Sequence, residues 1–203
     1  MKKRQKSKKP KRVVVERKFV KPTNFTTFID DDIDIDNRII HLFEDIDADS
    51  ASKITKGIQI MIAKDKNKPI DIYINTFGGC AYSGLFLYDF IRCQRETEIR
   101  TYACGCVMSA GSLVFFAGDE RYMYENSVIM LHSVASMAEG KVFLELNNET
   151  EECKKIYKQL CNIYAENTKP NYKEWYRWLK FEDKNYRKDK ALELGFVNKI
   201  LKP

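Results

Sequence analysis

Two histidines and one serine set the terms on which this sequence could carry out acid–base or nucleophilic chemistry. The only histidines are His41 and His132, so an imidazole base must be one of the two. His41 lies inside the apolar run Arg38-Ile39-Ile40-His41-Leu42-Phe43 and reads there as a satisfied core or surface histidine. His132 closes the run from Val128, a position from which a side chain can point into a cleft. Ser109 stands in Gly105-Cys106-Val107-Met108-Ser109-Ala110-Gly111, at a sharp strand-to-helix turn. Such a turn presents the hydroxyl, and the helix N-terminus favours developing negative charge. A nucleophile wants that geometry, although an ordinary helix-capping serine would look similar, and His132 taken alone also fits a structural role. A second glycine-rich junction, Asn75-Thr76-Phe77-Gly78-Gly79-Cys80, lets backbone approach a ligand closely because glycine has no Cβ.

The surrounding pattern supplies elements to hold these residues. Residues 38–43 read as a buried strand, followed by a helix capped by Asp49 or Ser50 with Ile54, Ile58, Met61 and Ile62 on one face. Pro69 ends that connection, and Ile70 to Asn75 alternates as a second strand. After Gly78-Gly79 comes a helix from about Ser83 to Arg92, then a third strand from Ile99 to Cys104. Leu113 to Ala117 reads as a buried helix closed by Gly118. Arg121 to Tyr124 and Val128 to His132 look like two short strands around a turn at Glu125-Asn126. Lys141 to Asn167 contains a long amphipathic helix with the stripe Cys153, Ile156, Tyr157, Leu160, Ile163 and Tyr164. A last helix, Asp189 to Leu194, leads into Phe196-Val197 and Ile200-Leu201. The alternation implies an α/β fold with a largely parallel sheet and right-handed crossovers.

Composition narrows the class. Of 203 residues 44% are hydrophobic and 32% charged, which fits one ordinary globular domain. No run of eighteen apolar residues occurs, so neither a membrane span nor a secretory signal is expected, and a cytoplasmic location is the simplest reading. Residues 1–22 hold eleven Lys or Arg against Glu16 alone, so the net charge of +6 conceals an acidic body. That basic extension should be disordered in isolation, and residues 23–203 form the single domain. The extension could touch nucleic acid, but nothing in the body continues such a footprint. Asp30, Asp31, Asp32, Asp34 and Asp36 read as a linker. Cys80, Cys93, Cys104, Cys106, Cys153 and Cys161 show no metal-ligand spacing and read as reduced, buried thiols.

Several segments in one order resemble the Clp protease proteolytic subunit, the ATP-dependent caseinolytic serine peptidase, over roughly residues 35 to 201. Ile72-Tyr73-Ile74-Asn75-Thr76-Phe77-Gly78-Gly79 is similar to the family's strand followed by Asn-Ser-Pro-Gly-Gly. Gly105 to Gly111 is similar to its nucleophile segment, and Asn126-Ser127-Val128-Ile129-Met130-Leu131-His132 to its Asn-Ser-x-x-Met-Ile-His. Asp183 precedes Ala191-Leu192-Glu193-Leu194-Gly195-Phe196-Val197 at the spacing of the family's triad aspartate. The resemblance implies a Clp-protease/crotonase-like fold with a handle-type helix. It also implies a triad of Ser109, His132 and Asp183, with Asp189 as the reserve acid. By the same likeness, Gly79 and Ala110 N–H groups form the oxyanion hole, and backbone at Gly78, Gly79, Ala81 and Ala135 holds an extended substrate.

The function so implied is a serine endopeptidase that assembles into a homo-oligomeric ring, with or without a second stacked ring. It hydrolyses unfolded polypeptides delivered by an AAA+ unfoldase. ATP would be used by that partner, and the chain itself needs no cofactor or metal. Departures are Phe77 for the family's proline, Ala110 for its methionine, Ser133-Val134 for Gln-Pro, Glu182 for an arginine and Arg187 for a capping Ser or Thr, where Asp189 could cap instead. The rival readings are a phage head-maturation protease of the same fold, a crotonase-type enzyme, a serine-lysine peptidase, and a silent ring subunit or tail-mediated nucleic-acid-binding protein. The co-occurrence of Ser109, His132 and Asp183 argues against the second and fourth.

Overall fold

The computed structural model describes residues 32–133, 143–180 and 183–202. Its sheet has eight strands: β1 (Ile33–Asp34), β2 (Ile39–Leu42), β3 (Ile70–Thr76), β4 (Ile99–Met108), β5 (Glu120–Tyr124), β6 (Val128–Leu131), β7 (Lys184–Tyr186) and β8 (Lys199–Leu201). They run in the order β1-β2-β3-β4-β5-β8, with β6 pairing β4 and β7 pairing β6. All pairings are parallel except β1 with β2 and β6 with β7. The described helices are α1 (Ala48–Lys64), α2 (Ala81–Arg92), α3 (Ala110–Phe116), α4 (Phe143–Asn167), α5 (Tyr172–Trp178) and α6 (Lys188–Glu193). The expected α/β class with a mostly parallel sheet is the class observed.

Parallel strands buried by helices must be apolar along most of their length, and β3 meets that condition: Ile70, Ile72 and Ile74 are wholly buried. Helix α1 lays Ile54, Ile58 and Met61 over this layer. It is capped by Asp47, two or three residues before the expected place. Asp47 accepts from the Ser50 N–H, and Ser50 Oγ accepts from the Asp47 N–H, so Ser50 is the return partner of a capping box and Asp49 a first-turn acid. The acidic stretch read as a linker is also partly structured. Asp34 accepts from the Asp36 and Asn37 N–H groups and turns β1 back onto β2.

Strand β4 decides where the site falls. Its first half pairs with β5, from Arg100 to Ala103, and its last residues, Cys106 to Met108, pair with β6. The two short strands expected to flank a turn are therefore not partners of each other. Each runs parallel to a different half of β4. The break comes at Gly105, with φ of +72°, where Asn75 Oδ1 accepts from Cys106 N–H at 3.0 Å and Ser127 Oγ accepts from Gly105 N–H at 3.0 Å. The strand read as ending at Cys104 thus runs on to Met108 and delivers its end beside β6.

On one sheet face His41, Tyr73, Tyr102 and Tyr122 stand side by side across four strands, with successive ring centroids 5.6, 4.5 and 4.9 Å apart. Burial lowers the His41 pKa. Helix α4 buries Ile156, Leu160, Ile163 and Tyr164, with Cys153 and Tyr157 partly covered. Helix α5 and strand β7 went unread in the sequence. Trp175 of α5 is fully buried against Tyr164 and Phe196. Arg121 ties this end together, donating from Nε to Phe196 O at 2.8 Å and from Nη2 to Asn167 O at 3.1 Å. Of the six cysteines read as buried, only Cys161 is. Cys80 and Cys93 are exposed at the two ends of α2, and Cys104, Cys106 and Cys153 are half-buried.

Candidate active site

Ser109 is the junction residue between β4 and α3, with φ of 51° and ψ of −124°. L-residues avoid that region because Cβ crowds the backbone, at a cost of roughly 1–3 kcal/mol that neighbouring structure must offset. Ser109 N–H donates to Met130 O at 3.0 Å, extending the β4–β6 ladder onto the turn. That ladder also fixes His132: two residues after Met130, its Nε2 lies 2.6 Å from Ser109 Oγ. Both side chains are half-buried. Sheet register therefore brings together two residues 23 positions apart.

Strand β7 brings the candidate acid, Asp183. Its antiparallel register sets Lys184 opposite Leu131, so Asp183 falls beside His132. Asp183 Oδ1 is 3.8 Å from His132 Nδ1, an ion-pair separation longer than a hydrogen bond, and the carboxylate is 68% exposed. Asp189 lies exposed in the first turn of α6, whose N-cap Arg187 makes no side-chain cap bond; the alternative cap expected of Asp189 is not formed.

Opposite the serine, the glycine pair is held against Ile46. Ile46 N–H donates to Gly78 O and Cys80 N–H to Ile46 O, both at 2.7 Å, as an isolated parallel bridge of Ile46 with Gly79. In such a bridge the N–H of the central residue points away from its partner. Gly79 N–H is thus directed off Ile46. Both glycines are required by close approach as well as by positive φ. A Cβ on Gly79 would meet Ile46 O at 2.3 Å, and one on Gly78 would meet Ser109 Cβ at 2.6 Å and Ala110 N at 3.1 Å. Gly78 N–H donates to Thr76 Oγ1 at 3.1 Å, so of its pairing groups only spare carbonyl capacity is left for a substrate strand. Ala81 and Ala110 begin α2 and α3, where N–H groups have no partner within the helix. Ala135 and Glu182 lie outside the described residues.

These groups open on a cavity of about 400 Å³. Gly79, Ser109, Ala110 and His132 form one end, and Leu113, Ile156, Leu160 and Tyr164 form an apolar wall. At the rim Tyr82 donates to Glu152 Oε1 at 3.1 Å. Cys80 lies beside the glycine pair with its thiol pKa lowered, chiefly because Ser83 N–H donates to the sulfur. Among the described residues no group of three His, Cys, Asp or Glu is placed to hold a metal, and no helix is long and apolar enough to cross a membrane.

Sequence reasoning missed the supports. Ile46 acts through its backbone, which carries no sequence mark. Tyr164 and Ser112 lie behind the nucleophile with their hydroxyls 2.9 Å apart. A signal did exist for Tyr164: a tyrosine on the core stripe of a helix must find a partner for its hydroxyl.

The profile of the family described as Clp protease matches residues 31–203. The ATP-dependent Clp protease proteolytic subunit of Pleurastrum terricola is 31% identical over 133 residues, 64% of this chain and 67% of that protein. A ClpP1 variant from Listeria monocytogenes shares the fold, with a TM-score of 0.75 at 24% identity over 83% of this chain and 94% of that one. A profile match running from β1 to the C-terminus takes in every strand and turn that shapes the cavity. The chain belongs to the Clp protease family.

Proposed function

We propose that the chain is a serine endopeptidase using Ser109, His132 and Asp183. The observation that carries this reading is the 2.6 Å separation of Ser109 Oγ and His132 Nε2 at a strained strand-to-helix turn. Ser109 Oγ–H donates to Nε2. As Oγ attacks a peptide carbonyl, that proton moves to the imidazole and the carbonyl oxygen becomes an oxyanion facing Gly79 N–H and Ala110 N–H. His132 then gives its proton to the leaving amine. Water repeats the cycle on the acyl-enzyme, returning Ser109. Asp183 holds the Nδ1–H tautomer and steadies the imidazolium, for which its carboxylate must close from 3.8 Å to about 2.8 Å.

The substrate is an extended, unfolded polypeptide. Backbone groups at Gly79 and Ala81 offer main-chain pairing, and the apolar wall accepts a side chain next to the scissile bond, so sequence preference is loose. Loose preference is safe only behind a barrier, which supports enclosure in a homo-oligomeric ring fed by an AAA+ unfoldase. ATP is consumed by that partner. A fluorophosphonate probe tests the nucleophile: it should modify Ser109 in the wild type and leave Ser109→Ala unmodified. Equal modification of both proteins would refute the assignment.

A further inference from the structure

Behind Ser109 Oγ, three polar groups form a short chain: the Ser109 carbonyl, the Ser112 hydroxyl and the hydroxyl of Tyr164, whose ring also lines the apolar wall of the cavity. Ser112 Oγ is 2.6 Å from Ser109 O and 2.9 Å from the Tyr164 hydroxyl. Ser112 is wholly buried and Tyr164 is 1% exposed, so no solvent competes. Proton bookkeeping fixes the direction. A carbonyl cannot donate, so the single Ser112 proton goes to Ser109 O, and Tyr164 must donate to Ser112 Oγ. Burial raises the Tyr164 pKa and so preserves that donor. Ser112 N–H adds a second bond to the same carbonyl at 3.0 Å.

The carbonyl that receives these bonds belongs to the peptide whose other end is Ala110 N–H. A planar trans peptide holds its C=O and N–H antiparallel, so fixing the oxygen from behind aims the N–H forward into the cavity. Donors on the oxygen also polarise the amide and strengthen its N–H as a donor. We propose that Ser112 and Tyr164 are positioning residues that aim and strengthen Ala110 N–H as an oxyanion-hole donor. The assignment rests on the serine-peptidase reading above. Tyr164 lies on α4, so one hydroxyl links the long helix to the reacting centre without touching substrate atoms that change bonding.

The test uses the full chain with a fluorogenic peptide substrate and a peptide boronate that forms a tetrahedral adduct on serine. Losing an oxyanion donor outright costs roughly 10²- to 10³-fold in turnover, and a misaimed donor costs part of that. Tyr164→Phe should lower kcat about 3- to 10-fold and Ser112→Ala about 10- to 100-fold, each with KM within about twofold and boronate affinity weakened by the same factor as kcat. The double variant Ser112→Ala with Tyr164→Phe keeps the ring on the cavity wall, leaves neither hydroxyl of the pair without its partner, and should match Ser112→Ala alone, because the Tyr164 hydroxyl acts only through Ser112. A kcat unchanged in Ser112→Ala, a kcat loss without loss of boronate affinity, or additive effects in the double variant would each overturn the proposal. Ser109→Ala run in parallel separates the two levels. If it is inert while Tyr164→Phe and Ser112→Ala match wild type, only this proposal falls; if it keeps wild-type turnover, the peptidase reading falls and takes the proposal with it.

Discussion

Ser109 and Asp183 reach His132 from opposite sides, at Nε2 and Nδ1, and are held in different ways. Ser109 stands on the end of a ten-residue central strand, anchored through its N–H to Met130 and through its carbonyl to Ser112. Asp183 precedes a three-residue strand that pairs only with β6, and 68% of its side chain is open to solvent. The pair proposed to make and break bonds is thus set by sheet register, while the carboxylate proposed to steady the ring is set by a short antiparallel ladder at the margin. Chemistry that needs sub-ångström placement sits where parallel strands fix it, and the adjustable contact sits at the periphery.

Four substitutions break or sharpen that contrast, taken from the largest effect down. His132→Ala removes the base from the fixed side and should reduce kcat about 10⁴-fold or more on a peptide substrate, with assembly unchanged by mass measurement. Gly79→Ala forces a Cβ into Ile46 O and displaces one oxyanion donor; turnover should fall about 10²- to 10³-fold, and the thermal midpoint should drop as well. Asp183→Asn strikes the peripheral side. Because the carboxylate is exposed and 3.8 Å away, the loss should be about 10- to 100-fold, well short of the roughly 10⁴-fold seen where a triad aspartate is buried and hydrogen-bonded. A loss equal to that of His132→Ala would erase the distinction. Asp189→Asn should change turnover less than about twofold, since that side chain does not cap α6 and the carboxylate paired with His132 is that of Asp183; a larger loss would move the acid's role to it.

Much of this arrangement was legible in the chain. Strand and helix order followed from apolar periodicity, and the serine turn followed from glycines flanking a β-to-α switch. Other parts were not, for physical reasons. The cap of α1 was misplaced because Asp47, Asp49 and Ser50 all offer a side-chain oxygen that can accept from a helix N–H, and only geometry selects Asp47. The ends of β4 were hidden because Gly105 reads locally as a stop, whereas tertiary bonds from Asn75 and Ser127 carry the strand through it. Helix α5 was obscured by its tyrosines, tryptophans and charges, which form no clean stripe; Trp175 is its one buried residue, with Tyr172 and Trp178 only partly covered. At the site, side-chain identities could be read, but the hold of Ile46 on the glycine pair could not, because backbone pairing leaves no trace in residue type.

The four-ring row across the sheet and the tryptophans of α5 give the molecule two separate optical reporters. Both tryptophans, Trp175 and Trp178, sit in α5, so indole fluorescence responds only to the end of the molecule where that helix docks. Tyr73, Tyr102 and Tyr122 are close enough and parallel enough for their electronic transitions to couple, and the part of the near-ultraviolet dichroism that a Tyr102→Leu substitution removes reports on the strands. Heating followed by both signals therefore distinguishes undocking of the α5 end from melting of the sheet.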